Sequence, residues 1–329
     1  MSVPCVAVAR ERGEAVRTRL AEAGVLNGDH RIEVIEDTIY LPVTDPAAVP
    51  LEYRDRIVER EPEPREGPRT PATLLGYEPS LERLGDIVIL DEDDPERAHE
   101  IAEAVMASDI PCETVLNRAS PIEGELRVRE WDVLAGNGTE TTHREYGHEF
   151  RLDLASVYFS PRLATDRHRV ITQVHSGETV VDMFAGVGPY AIPMAARGAD
   201  VIACDLNPVA VDYLTENAER NGVADRVTAI AGDVRELPAE YADVADRLVM
   251  NLPHSADEFL DTAVALAGES CVIHYYDIQH EDDPFGPGLA AIRQAVGDAY
   301  TVSVETERIV RSYAPHEHNV RLDVRLDRR

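Results

Sequence analysis

Lysine is absent from the 329-residue chain, so all 32 basic residues are arginines, and they face 62 acidic ones for a formal net charge of −30. Such a surface repels itself in dilute salt, but at molar ionic strength the Debye length falls to about 3 Å and the repulsion is screened. The composition reads as adaptation to a salt-rich cytoplasm. So acidic a chain would ordinarily exclude a nucleic-acid partner. High salt removes most counterion-release affinity for any protein, however, so local arginine clusters and shape decide the matter and net charge does not. Cysteine is scarce: Cys5, Cys112, Cys204 and Cys271 are scattered without paired ligand spacing, which argues against a metal centre and fits buried thiols in a reduced compartment. There is no signal-peptide core, no apolar run able to span a bilayer, no internal repeat and no long low-complexity tract. The expectation is a cytoplasmic protein of two or three domains with no membrane partner.

A third glycine is also missing where one would matter. Val180-Val181-Asp182-Met183-Phe184-Ala185-Gly186-Val187-Gly188-Pro189-Tyr190 reads as a buried strand, a tight turn and the start of a helix. Gly186 and Gly188 let backbone approach a ligand closely. A dinucleotide fingerprint requires one more glycine, to seat a pyrophosphate. Asp182, at the strand end, would repel a phosphate and attract an ammonium. A second buried strand, Val201–Asp205, ends in an acid suited to a ribose diol. Two acids framing a glycine turn point to S-adenosylmethionine, although the same turn also serves plain packing in an α/β sheet.

The remaining chain orders itself around that stretch. Residues 1–58 read as a small N-terminal domain, with strands at Pro4–Val8, 32–35 and 38–41 and a helix over Gly13–Ala23. Residues 59–72, charged and rich in proline, read as a semi-extended linker. Residues 73–155 read as a middle α/β domain, with a strand at Ile87–Leu90, an amphipathic helix at Pro95–Ala107, a strand at Thr114–Leu116, and extended pieces over 126–135 and 146–159 around Gly136-Asn137-Gly138. From 156 to 329, strands alternate with helices, which predicts a mostly parallel sheet covered on both faces. Asp182, Asp205, Asp233 and Asn251 then fall beyond the carboxyl ends of its strands, where ligands sit in such folds.

Val157-Tyr158-Phe159-Ser160-Pro161-Arg162-Leu163-Ala164-Thr165-Asp166-Arg167, the stretch 182–193, Cys204–Pro208, Met250–Leu260 and Arg308–Pro315 together resemble the archaeal and eukaryotic tRNA (guanine-37-N1)-methyltransferases. The likeness is strong over about 120–329. It implies a class I, S-adenosylmethionine-dependent enzyme that methylates N1 of the purine 3′ of the anticodon. The partners implied are the anticodon stem-loop and, through the N-terminal domain, the outer corner of tRNA; a monomer is expected. Cofactor contacts implied by the resemblance are Tyr158, Phe184, Asp205, Asn207, Asp233, Asn251 and Pro253, with Leu206 and Val234 beside them. Asp182, Gly186 and Gly188 join them from the reading of the turn.

Guanine N1 carries a proton, so transfer needs a base near N1 and a cation or donor at O6. The resemblance assigns the base to Asp166, one methylene shorter than the glutamate usual in relatives; a helix-start carboxylate is the plainer account of the same residue. It assigns O6 to Arg127, with Arg129 as the neighbouring choice and a solvated strand arginine as the plain account. Asn251, in Asn-Leu-Pro, is read as holding the base edge, and Arg162 as meeting an RNA phosphate or pairing with an acid. His274 is read as a satisfied core residue, and Tyr275 and Tyr276 as alternating between core and surface. Tyr313 is a candidate to stack on a base, and His254, His316 and His318 are placed in loops near the site. Glu317 lies between the last two, but no metal is expected. Two rivals remain: the wybutosine-pathway transferases, acting on the same tRNA position by aminocarboxypropyl transfer or by methylation of an intermediate, and a non-catalytic tRNA-binding module.

Overall fold

A computed structural model describes residues 2–65, 67–121 and 124–329. The chain divides into two compact units, one of residues up to 78 with 107–109, the other of 79–106 with 110–329.

The first unit contains β1 (Val3–Ala9), α1 (Gly13–Glu22), β2 (Glu33–Ile35), β3 (Thr38–Pro42), α2 (Leu51–Arg54), β4 (Ile57–Arg60) and α3 (Pro71–Leu75). Its antiparallel sheet has the order β2-β3-β1-β4. Val6 and Val8, spaced by the strand period of two, pack with Val16 and Leu20, spaced by one helical turn on α1. The stretch read as a linker is more structured than its composition suggests. Glu59 and Arg60 complete β4 against Pro4 and Val3. The Arg31 amide donates to the Glu63 carbonyl and the Arg65 amide to that of Asp29, and Thr70 closes a capping box over α3. Charge and proline keep this stretch from burying a face, yet its backbone groups still find partners.

In the second unit, β5 (Glu82–Leu84), β6 (Ile87–Leu90), α4 (Pro95–Ala107), β7 (Thr114–Arg118) and β8 (Trp131–Ala135) form a sheet of order β5-β6-β7-β8 with one crossover helix. The hairpin β9 (Glu140–Glu145) and β10 (His148–Asp153) turns at Tyr146, which has φ +46°. The extended pieces expected over 126–135 and 146–159 are therefore shorter. Arg127 lies in a turn with φ +56°, not in a strand.

Next come α5 (Ala164–Ile171), β11 (Thr179–Asp182), α6 (Ala191–Ala196), β12 (Asp200–Asp205), α7 (Pro208–Arg220), β13 (Val227–Ala231), α8 (Pro238–Tyr241), β14 (Ala245–Met250), α9 (Leu260–Leu266), β15 (Ala267–His280), α10 (Gly286–Val296), β16 (Tyr300–Ala314) and β17 (Glu317–Arg328). The seven-stranded sheet has the order β13-β12-β11-β14-β15-β17-β16, and only β17 runs against the others. Strand order reverses at β11, flanked by β12 and β14, and such a switch point opens a crevice at the carboxyl ends.

The central strands of this sheet are covered on both faces by the two core clusters, so they are apolar on both sides. Tyr275 and Tyr276 are accordingly both buried, and neither alternates to the surface. Leu84, Ile87 and Leu116 share one core cluster with Phe150, Val170 and Val180, so apolar packing is continuous across residue 155. Burying each such side chain contributes about 1.5–3 kcal/mol. Cys5, Cys204 and Cys271 are buried, whereas Cys112 is only half-buried. No helix of the described residues is long and apolar enough to cross a membrane.

Candidate active site

β11 delivers Asp182 to the carboxyl edge, and the chain turns there through Gly186 (φ +53°) and Gly188 (φ +93°). The two glycines differ in purpose. A Cβ on Gly188 would lie 2.5 Å from Leu214 Cδ1 of α7, whereas one on Gly186 would meet only the Tyr158 carbonyl, 3.9 Å away. Gly188 lets a helix pack; Gly186 leaves an open face for a ligand. We expect Gly188→Ala to destabilise the fold by about 2–4 kcal/mol through strain and overpacking, measurable as a lowered urea midpoint. An unaltered midpoint would remove this account.

Asp205, at the end of β12, fastens the same turn. Its Oδ2 accepts the Gly186 amide at 2.6 Å and its Oδ1 the Asn207 amide at 2.9 Å. Asp182 is fully buried, and neither of its oxygens has an aligned donor among the described residues. Burial, reinforced by the Asp205 charge, pushes its carboxyl up to about 7 against the opposing pull of the Phe184 and Ala191 amides. A buried carboxylate without a charged partner is costly unless a cation meets it.

Around this turn the candidate residues divide. Phe184 meets Phe259 edge-on at 5.0 Å, and the Arg235 guanidinium lies over the Phe259 ring. Asp233 begins the next turn in a bidentate pair with Arg235 that holds its carboxyl below the usual range. Leu206 is exposed and Val234 buried. The Asn207 side chain is occupied elsewhere: Oδ1 caps α7 at Val209, and Nδ2 donates to the Ser156 carbonyl. Phe259, inside the Met250–Leu260 stretch, was not singled out from the sequence, and its place beside Phe184 comes from the fold.

Across the crevice, the Arg127 guanidinium stands 5.2 Å from the centre of the Tyr158 ring. Asn251 follows β14, and its side-chain oxygen is buried without a hydrogen-bond partner among the described residues. The Pro253 carbonyl accepts the Ile278 amide, and His254 packs edge-on against Tyr313. Burial and the Arg127 charge push the His254 imidazole below its ordinary value. His318 lies within β17 rather than in a loop, and His316 pairs with Glu281. Among the described residues no group of three or more His, Cys, Asp or Glu side chains is placed to hold a metal.

Asp166 sits in the first turn of α5, only 4% exposed. Its Oδ2 accepts the Tyr276 hydroxyl and its Oδ1 an Arg321 N–H, both at 2.7 Å, with Arg308 3.1 Å from Oδ1. The Tyr190 hydroxyl, just past the glycines, donates to that of Tyr276. A chain of hydroxyls thus joins the turn to Asp166. Arg321 also bonds Asp323, which bonds His274, so His274 is satisfied in the core as part of a network. The contacts of this network were not legible in the sequence, because they join α5, the turn after the glycines, β15, β16 and β17. The neighbouring Arg167 forks onto Glu145 at 2.9 and 2.6 Å and donates to the Ser160 carbonyl, anchoring the Ser-Pro-Arg segment.

Arg162 pairs bidentately with Glu82, which also takes Arg118. These residues line a cleft of about 150 Å³ with Arg127, Arg129 and Arg311. Burial and the Arg118 charge lower the Arg129 pKa. Five arginines against one glutamate is a local reversal of the chain's acidity. The crevice as a whole suits a molecule with an ammonium for Asp182, a ribose for Asp205 and an aromatic base beside Phe184, and S-adenosylmethionine has all three.

The chain matches the sequence models of the TRM5/TYW2 methyltransferase domain over residues 141–304, the tRNA methyltransferase 5 N-terminal domain over 5–51 and the TYW2 N-terminal domain over 70–139. It is 41% identical over 330 residues to tRNA (guanine(37)-N(1))-methyltransferase Trm5b of Pyrococcus abyssi, covering 98% of both chains. The crystal structure of that protein aligns with a TM-score of 0.77 at 39% identity, covering 99% of both. The complex of aTrm5 with tRNALeu aligns with a TM-score of 0.78 at 33% identity, over 98% of this chain and 99% of that one. The tRNA(Phe) (4-demethylwyosine(37)-C(7)) aminocarboxypropyltransferase of Pyrococcus horikoshii is 36% identical over 252 residues, 74% of this chain and 88% of that one. Family, sheet order and crevice agree: the chain belongs to the TRM5/TYW2 family of S-adenosylmethionine-dependent tRNA methyltransferases.

Proposed function

We propose that the protein transfers a methyl group to N1 of guanosine 37 in tRNA. The observation that carries this reading is the end-to-end match to a tRNA (guanine(37)-N(1))-methyltransferase, 98% of both chains. The aminocarboxypropyltransferase relative covers only 74% of this chain. The N-terminal match over 5–51 supports a role for that unit at the outer corner of tRNA.

Asp182 takes the cofactor's ammonium and Gly186 lets its backbone close on the ligand. Asp205 takes the ribose, and Phe184 with Phe259 flanks the base near Asp233. The sulfonium, when bound, would supply an electrophilic methyl, the methyl–sulfur bond breaking to leave a neutral thioether. Tyr158 and Pro253 wall the crevice, and Asn251 offers its unpaired oxygen to the guanine edge. Asp166 accepts the N1 proton as the new N–C bond forms, while Arg127 meets the charge that gathers on O6. Arg162, already half-exposed on Glu82, exchanges toward an RNA phosphate.

Arg127→Ala should lower the single-turnover rate about 100- to 1,000-fold, the usual consequence of removing one charge-stabilising donor, and weaken tRNA binding only severalfold. Equal losses in rate and affinity would make Arg127 a binding residue alone. Mass analysis of nucleosides from tRNA incubated with labelled cofactor tests the whole reading. A single added methyl on guanosine supports it, and an aminocarboxypropyl group or no added mass overturns it.

A further inference from the structure

Asp166 is contacted by two arginines of unlike character. Arg321 is 2% exposed, donates a well-formed hydrogen bond to Oδ1, and is itself held by Asp323. Arg308 has its Nε 3.1 Å from the same oxygen without an aligned hydrogen bond, and its side chain is 35% exposed. One is fixed; the other rests on the carboxylate through charge alone, with a route to solvent.

The strand pairing explains how Arg308 comes to be there. β16 pairs with β17 as Arg308 with Arg321 and Ile309 with Val320, then skips Val310 and pairs Arg311 with Asn319. In an unbroken strand, residues three apart point to opposite faces. The extra residue at this bulge returns Arg311 to the face of Arg308, since Arg321 and Asn319 are two apart on the partner strand. Val310 packs against the core. Arg311 lines the arginine cleft, and its Nε has no hydrogen-bond partner among the described residues. The bulge therefore sets one arginine at the cleft and one at Asp166, roughly 7 Å apart along the strand.

We propose that Arg308 is a latch on Asp166 that an RNA phosphodiester releases. In the free protein it neutralises the carboxylate; when RNA backbone enters the arginine cleft, Arg308 exchanges carboxylate for phosphate. Asp166 is left to Arg321, Tyr276 and the guanine edge. Arg308 keeps an anion throughout and Asp166 keeps Arg321, so no buried charge is stranded at either end. The latch makes Arg308 a positioning residue and ties proton acceptance to a seated tRNA backbone. It rests on the reading of Asp166 as the base.

The test compares the full-length protein with Arg308→Ala on a tRNA transcript. The groups facing Asp166 are Arg308 from β16, Arg321 from β17, Tyr276 from β15 and Tyr190 after the glycine turn. Arg308→Ala should reduce the slope of log affinity against log salt by about one and raise half-saturating tRNA about tenfold. The low-pH arm of the single-turnover rate at saturating tRNA should stay in place, because in the reacting complex Arg308 has already left the Asp166 carboxylate for phosphate. A low-pH arm moved upward by about one unit with the salt slope unaltered means Arg308 never leaves Asp166, and overturns the latch. Arg308→Lys, which keeps the charge, should recover most of the slope; failure to recover it where both variants melt like the parent also overturns it. Asp166→Asn separates the layers. At parental rate it removes the base reading and the latch together, whereas an inactive variant beside a moved low-pH arm removes the latch alone.

Discussion

Asp182→Asn should stabilise the ligand-free protein at pH 8 while weakening S-adenosylmethionine binding about a hundredfold, the scale of losing one buried charged partner. The sign follows from the carboxyl's two environments. Its ordinary value is 3.8 and burial raises it to about 7 in the folded chain. Between those values the folded state holds more protons than the unfolded state. Stability of the ligand-free protein therefore declines as pH rises from about 4 to about 7, by an amount on the order of a few kcal/mol. Asparagine removes that decline. An arriving ammonium reverses the preference by favouring the ionised form, so wild-type cofactor affinity should increase with pH across the same window. Titration calorimetry and thermal melts between pH 5 and 8 read both effects. Parallel pH curves for the two proteins would mean that Asp182 does not receive the cofactor's ammonium.

The second large effect is expected at Asp166. Asparagine has nearly the same shape: its oxygen can still accept from Arg321, and its amide can donate to the Tyr276 hydroxyl, reversing that bond. Folding, cofactor binding and tRNA binding should therefore survive. The transfer rate should fall about a thousandfold, within the usual range for a positioned general base. A rate within threefold of the parent, with an unaltered melt, would place the base elsewhere.

Much of this site was legible because it lies in unbroken stretches. The run Val180–Asp182 and the glycines after it announce strand and turn through β-branching and the lack of a Cβ. The acids at 205 and 233 follow by the same alternation of strand and helix. What escaped reading is tertiary. Asn207 is legible as a loop residue beside Asp205, but the closure of its amide on Ser156 across 51 residues of sequence is not. Arg308 and Arg321 lie on strands of alternating charged residues whose bulges no spacing rule foretells. Glu59 and Arg60 passed for linker because a charged edge strand has the composition of a loop, while its identity resides in the pairing with Val3 and Pro4.

The carboxylate of Asp205 has one more consequence. Because it already ties two amides of the loop, the nucleoside half of the cofactor meets a surface whose shape is set in advance. Association orders little chain, so its entropy loss is confined largely to the small molecule. On the proposed reading of Asp205, the loop is ready for the cofactor without help from RNA, so tRNA docking carries no added step of pocket assembly.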